Sequence, residues 1–299
     1  MTTRKIATYT AIITPFTENR IDVNSFEKLI SRQISAEIDG IVPCGTTGES
    51  PTLSHNEHNK IIEIAVANGK GKIKIMAGTG SNSTAEAVEM TKIAKKAGAD
   101  SCLIVTPYYN KPTPQGLFEH FTALNNCDIP LYIYNIPGRS VINMSDSTIA
   151  KIAQLENVVG IKDATGDLAR LATLRLAIAE SLAKSGKEFS YLSGEDATIV
   201  GYNAMGGNGV ISVLSNLVPE MVVEMQKHCA NGNYKDAVAM QDKLARLTQA
   251  LFLETSPIPI KYACSLLGMC TNEIRLPLTM PSQDCQKNLE AILQQMKLI

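Results

Sequence analysis

The chain has no excess of charge of either sign. Its 299 residues carry 28 Lys and Arg against 29 Asp and Glu, a formal net charge of -1. No broad field exists to hold nucleic acid or an anionic bilayer. No apolar run reaches the length of a membrane span. Histidine is scarce, with four residues at 55, 58, 120 and 228. His55 and His58 stand three apart with no third ligand near in sequence, which argues against a three-ligand zinc site. The seven cysteines are odd in number and make no C-x-x-C pair. Most lie in apolar segments, as reduced thiols of a cytoplasmic protein do, and not as a disulfide frame. P-loop, G-x-S-x-G and Cys–His signatures are missing. The turn Thr14-Pro15-Phe16-Thr17 after the first apolar run lacks the glycines of a dinucleotide-binding fold. Neither metal nor cofactor is expected.

What is present is a regular alternation. A composition of 44% hydrophobic and 19% charged residues is that of a soluble globular chain, long enough for one large or two modest domains. Met1 to Lys5 followed by Ile6–Ile13 is a weak match to a signal peptide. It lacks a Leu-rich core, carries Thr8, Tyr9 and Thr10, and meets Pro15, so it reads as a first strand. Short apolar runs follow one another at Ile6–Thr14, Gly40–Cys44, Lys72–Ala77, Ser101–Thr106, Pro130–Asn135, Val158–Lys162, Phe189–Ser193 and Gly209–Val213. Several are continuous, which suits strands covered on both faces. Helical periodicity fills the gaps. Phe26, Leu29, Ile30 and Ile34 share a face over 24–38. Ser54 with Glu57 and Ser83 with Glu86 fit capping boxes, Thr113-Pro114 an N-cap and first helical turn, and Gly98 a C-cap. Eight strands, each followed by a helical pattern, predict an α/β (β/α)8 TIM barrel. Beyond Pro219 only helices are expected, at 220–229, 236–251, 258–267 and 283–298. The expected division is a catalytic barrel over 1–218 and a C-terminal helical extension over 219–299.

In such a barrel, function sits where strands end. Lys162 closes the apolar run Val158-Val159-Gly160-Ile161. Lysine is rarely buried unless paired or used, and burial disfavours its charged form. A free amine there attacks carbonyl carbon and forms a Schiff base. Taken alone, a strand-end lysine that snorkels to solvent is the commoner case; the other strand ends shift the balance. Gly45-Thr46-Thr47-Gly48 offers hydroxyls and backbone N–H groups to a small anion, although in isolation it is a turn. Tyr134 is either a core tyrosine or a phenol placed to move protons. Arg139 lies in a Pro-Gly loop, and its fork suits a carboxylate. Tyr108 and Tyr109 read as interface aromatics. Imine chemistry needs an amine, a proton shuttle, an anion cradle and a grip on a second substrate, and the rim supplies all four.

These motifs resemble the dihydrodipicolinate synthase (4-hydroxy-tetrahydrodipicolinate synthase) family, within the class I pyruvate-dependent aldolase superfamily. The likeness rests on Gly45-Thr-Thr-Gly-Glu-Ser50, Ala77-Gly-Thr-Gly80, Thr106-Pro-Tyr-Tyr-Asn110, Tyr134-Asn-Ile-Pro-Gly-Arg139, Gly160-Ile-Lys-Asp163 and Ser193-Gly-Glu-Asp196, and it runs through the whole chain. The resemblance implies that Lys162 forms a Schiff base with pyruvate. It implies a proton relay of Thr46, Tyr134 and Tyr109, the last supplied by a neighbouring subunit. Thr46 and Thr47 would hold the pyruvate carboxylate, Arg139 that of L-aspartate 4-semialdehyde, and Gly194 and Ile211 would lend backbone around the lysine. It further implies lysine biosynthesis by the diaminopimelate route, a homotetramer built as a dimer of dimers, and feedback inhibition by L-lysine. The matching inhibitor positions are Ser50, Pro51, His55, His58, Asn82, Glu86 and Tyr108. Pro51 departs from the small residue of that pattern. Cationic His at a helix start would oppose the dipole, so His55 and His58 are expected neutral.

Three other readings compete. An N-acetylneuraminate lyase or another 2-keto-acid aldolase would share the lysine, but the sialic-acid branch has serine in place of the first threonine and lacks the arginine. A non-catalytic lysine sensor would need neither Lys162, Tyr134 nor Arg139. A phosphate-handling isomerase should present a Gly-rich loop after strand seven. Here Glu195 and Asp196 would repel phosphate.

Overall fold

The computed structural model describes residues 6–299. Met1 to Lys5, the head of the stretch weighed above as a leader, lie outside the described residues. All eight apolar runs contain a strand, and the strands close into one barrel in sequence order. They are β1 (Ala7–Thr10), β2 (Gly40–Ile41), β3 (Lys74–Gly78), β4 (Ser101–Val105), β5 (Leu131–Asn135), β6 (Val158–Asp163), β7 (Ser190–Ser193) and β8 (Gly209–Ser212). All pairs are parallel, and β8 returns to β1 with Ala7 opposite Gly209 and Thr10 opposite Ser212. The outer helices are α1 (Val23–Ser35), α2 (His55–Gly69), α3 (Thr84–Ala97), α4 (Pro114–Asn125), α5 (Asp146–Ala153), α6 (Leu168–Leu182), α7 (Ile199–Ala204) and α8 (Pro219–Ala230).

The helix starts follow the caps. Ser54 and Glu57 form a reciprocal capping box on α2. Thr113 accepts from Gly116 N–H with Pro114 in the first turn of α4. Gly98 ends α3 at φ 100, a left-handed value that favours glycine. At α3 the expected box forms only halfway. Ser83 accepts from Glu86 N–H at 3.5 Å. The Glu86 carboxylate turns instead to Ser81 and to His55, so a residue expected to cap its own helix faces a cavity.

Alternation along each strand divides the core in two. Outward side chains such as Ile75, Ile104, Ile133 and Ile161 join the helices in a large outer core. Inward ones, Val42, Met76, Leu103, Tyr134, Leu192 and Ile211, fill the barrel together with Ala11. Burying one such aliphatic side chain is worth about 1.5–3 kcal/mol. At the base, glycines make room for rings. A Cβ on Gly40 would lie 2.4 Å from the Tyr9 ring, and one on Gly160 would lie 2.5 Å from the Tyr132 ring.

Beyond the barrel, α9 (Tyr234–Ala250), α10 (Ile258–Leu266) and α11 (Gln283–Gln295) pack together, with α9 against α7 and α8. These bounds fall within a few residues of the expected ones. A small hairpin, Phe16–Thr17 with Arg20–Ile21, was not expected. Its turn residues Glu18 (φ 52) and Asn19 (φ 57) are both left-handed, the signature of a type I′ turn.

Candidate active site

Lys162 sits on β6 in register with Tyr134 on β5. Ile161 belongs to the outer core, so its neighbour Lys162 turns inward. The lysine is 6% exposed. Its Nζ lies over the Tyr134 ring, 4.2 Å from the centroid. The stem passes close to β7: a Cβ on Gly194 would come within 3.0 Å of Lys162 Cε and 2.7 Å of Ala164 Cβ. Only a glycine leaves the amine arm its place there. Ile211 on β8 packs in the same inner cluster as Tyr134.

Two carboxylates share this neighbourhood, and sequence reasoning had assigned them only the task of repelling phosphate. Asp196 is buried and accepts from Val213 N–H at 2.8 Å and Leu214 N–H at 3.0 Å. Burial pushes its pKa up, while the hydrogen bonds it accepts and the charge of Lys162 pull the other way. Glu195 is also raised, first by burial and then by Asp196, with Lys162 opposing. The signal available was the position of both acids at the end of the strand next to Lys162.

The Gly45–Ser50 loop forms a compact turn. Gly48 N–H donates to Gly45 O at 3.1 Å, Glu49 N–H to Thr46 O at 3.2 Å, and Ser50 N–H to Gly45 O at 3.3 Å. Those three donors are spent within the loop, whereas the Thr46 and Thr47 N–H groups take no part in these bonds. Thr14 Oγ1 donates to Gly48 O at 2.7 Å and ties the turn to the end of the first apolar run. Thr46 is half-buried and Thr47 buried. Cys44 and Glu49 bracket the turn with left-handed φ of 55 and 56. Gly78 allows β3 to pass, since a Cβ there would meet Cys44 O at 2.3 Å.

Sequence reasoning missed the anchor of this loop. Glu49 is buried in an ion pair with Lys261 of α10. Burial pulls the Lys261 pKa down, and the Glu49 charge opposes that pull. The other Glu49 oxygen accepts from Arg275 N–H at 3.2 Å. The available clue was Lys261 within the apolar run Ile258-Pro-Ile-Lys-Tyr-Ala-Cys264, the same anomaly that singles out Lys162.

Arg139 follows β5 in a single helical turn, Pro137–Ser140, and its Nη2 donates to Ser256 O at 2.7 Å. A cavity of about 420 Å³ opens beside it. Thr46, Tyr134 and Arg139 line it together with Ser50, Pro51, His55, His58, Glu86 and Tyr108. The structure thus brings two of the three expected relay residues, Thr46 and Tyr134, and six of the seven expected inhibitor positions into one space. Lys162 and Thr47 do not line it, nor do Asn82, Tyr109, Gly194 and Ile211. Lys162 meets the cavity wall at Tyr134, over whose ring its amine lies. His55 Nε2 lies 3.0 Å from Glu86 Oε1. His58 Nε2 donates to Gly78 O at 2.8 Å, and burial holds its pKa below the ordinary histidine value. Asn82 O accepts from Asn110 Nδ2 at 2.8 Å, linking the β3 and β4 loops. Tyr109, on the latter loop, is 90% exposed and left-handed at φ 73, a strained setting for an aromatic residue.

A closed parallel barrel with a buried amine at a strand end and a phenol beneath it has the architecture of an aldolase-type lyase. The chain belongs to the dihydrodipicolinate synthetase family, a model of which matches residues 5–296. The 4-hydroxy-tetrahydrodipicolinate synthase of Parvibaculum lavamentivorans is 48% identical over 282 residues, 94% of each chain. The chloride-inhibited dihydrodipicolinate synthase of Acinetobacter baumannii, solved in complex with pyruvate, is 38% identical with a TM-score of 0.93 over 100% of both chains. The enzyme of Cyanidioschyzon merolae, solved with lysine bound, is 36% identical with a TM-score of 0.92 over 98% of this chain and 99% of that one.

Proposed function

We propose that this chain condenses pyruvate with L-aspartate 4-semialdehyde through a Schiff base on Lys162, giving 4-hydroxy-tetrahydrodipicolinate. The observation that carries this is the buried Lys162 amine stacked on Tyr134 at the barrel mouth. The names of the relatives and the pyruvate complex of the A. baumannii enzyme support the choice of substrates.

The amine adds to the pyruvate keto carbon, and water leaves as the iminium forms. The iminium draws electrons, a methyl proton departs, and the resulting enamine attacks the aldehyde carbon of the semialdehyde. The substrate's own amine then adds to the imine carbon, closing the ring and releasing Lys162. Tyr134 and Thr46 carry protons in this scheme, with Tyr109 reaching the site from a neighbouring subunit. Thr46 and Thr47 hold the pyruvate carboxylate, and Arg139 holds that of the semialdehyde. Gly194 and Ile211 shape the space around the amine.

The scheme places the chain in the cytoplasm, in the lysine branch, as a homotetramer in which the exposed Tyr109 finds a partner. L-lysine is the proposed inhibitor, seated by Ser50, Pro51, His55, His58, Asn82, Glu86 and Tyr108. Glu86 would take its ammonium group and Tyr108 its carboxylate. The lysine-bound C. merolae enzyme supports this. Turnover undiminished at millimolar L-lysine would remove the inhibitor from the proposal.

The main test is to incubate the protein with pyruvate and borohydride and map the reduced adduct by mass spectrometry. Labelling is expected at Lys162 and nowhere else. A protein that turns over substrate yet carries no adduct, or carries it on another lysine, overturns the mechanism.

A further inference from the structure

Two of the groups given substrate-holding roles above are attached to the same short piece of the C-terminal extension. The Thr46–Thr47 loop is held by Glu49, whose carboxylate is paired with Lys261 in the first turns of α10. The side chains of this pair are 2% and 0% exposed. Arg139 is held by Ser256 O at 2.7 Å, immediately before α10. Lys261 N–H donates to Pro257 O at 3.0 Å, so the residues joining the two anchors form one rigid helical turn.

The choice of an ion pair is informative. A buried pair is generally no better for stability than apolar side chains of the same volume, because both charges lose their water. Its gain is direction: a carboxylate that must meet one ammonium cannot slide. The surroundings narrow the freedom further. Lys261 Nζ and the Arg275 guanidinium each lie 4.0 Å from the centre of the Phe16 ring. Arg275 fixes the far side of the loop, donating to Thr52 O at 3.1 Å and to Glu57 at 2.9 Å. At Arg139 the Ser256 carbonyl occupies one donor of the guanidinium and leaves the rest of the fork for a carboxylate.

We propose that Ser256–Lys261 is a bracket that sets the distance between two carboxylate grips, the Thr46–Thr47 loop through Glu49 and Arg139 through the Ser256 carbonyl. Glu49 and Lys261 are positioning residues, and neither touches substrate. The inference rests on the substrate-holding roles given to Thr46, Thr47 and Arg139.

The test uses the full-length protein and the pair Lys261→Met with Glu49→Gln. Single replacement strands a buried charge, whereas the double variant is neutral, and the new amide oxygen can still accept from Arg275 N–H. The folded double variant is expected to show a pyruvate KM raised about tenfold and a semialdehyde KM raised about threefold, with kcat changed by less than about threefold. KM values within about twofold of the parent, or a fall in kcat alone, overturn the bracket. A second measurement needs no variant. Trapping pyruvate on the parent protein with borohydride should slow amide hydrogen exchange over 257–263 as well as over 45–50. Slowing in the loop alone overturns the coupling. A parent that forms no adduct at Lys162 instead refutes the proposed function, so the two failures are distinct.

Discussion

Lys162 and Lys261 are two buried lysines in the same fold, each with its Nζ close to 4 Å above an aromatic ring, at 4.2 Å and 4.0 Å. They differ in what else they meet. Lys261 has a carboxylate at ion-pair distance. Among the described residues, Lys162 has none that close; its acids, Asp196 and Glu195, act from farther away. On the roles proposed above, the lysine locked to a carboxylate is held for geometry, and the one without a carboxylate is left free to react. Burial alone does not separate the two roles, but the partner does.

The comparison can be broken at either lysine. The largest effect is expected from Lys162→Met. Turnover should fall by at least about a thousandfold. Stability should move by less than about 1.5 kcal/mol, since the change removes an amine that no carboxylate holds and roughly keeps the volume. Steady-state assay and urea unfolding measure the two. A large loss of stability would make Lys162 structural and erase the contrast. Next comes Lys261→Met alone, which leaves the Glu49 carboxylate buried without its cation. A loss of about 3–5 kcal/mol is expected, read as a lower unfolding midpoint, and a loss below about 1 kcal/mol would show the pair to be dispensable. The smallest effect concerns the outer edge of the same network. The Arg275 side-chain hydrogen bonds hold the Glu57 pKa at about 2, down from 4.5. That stabilisation is complete above the unfolded value and is lost as pH falls from there through about 2. Both groups are partly exposed, so salt and water weaken it. Glu57→Gln should flatten the acid limb of stability against pH, and an unchanged slope would remove Glu57 from the network.

Much of this was legible in the chain. Apolar runs located every barrel strand, because in a barrel both faces of a strand are covered and burial is continuous. The same rule overstated strand lengths. The run Ile6–Thr14 is ladder-paired only over Ala7–Thr10, although Ala11 to Thr14 are also buried, since hydrophobicity reports burial and not pairing. Lys162, Tyr134, Thr46 and Arg139 fell on one rim because strand ends share a face whatever their separation in sequence. The Phe16–Ile21 hairpin escaped because two-residue strands carry no periodicity, and only the Glu18-Asn19 turn could have betrayed it. The Glu49–Lys261 pair escaped for another reason. Its members are 212 positions apart, and no local pattern in a single chain joins residues across that distance. Glu86 was read both as a capping-box partner of Ser83 and as an inhibitor position; its carboxylate turns to Ser81 and His55 on the cavity wall, so the capping half of that reading failed.

The tyrosine rings at Gly40 and Gly160 have a consequence for traffic. They fill the base of the barrel as Val42, Met76, Leu103, Leu192 and Ile211 fill its middle, so the interior is packed and offers no passage from below. Under the proposed function, what reacts at Lys162 arrives from the rim where the strands end, and the product leaves by that same rim. On the mechanism proposed above, the keto acid bonds to the amine before the aldehyde can be attacked, so it is the first of the two to settle.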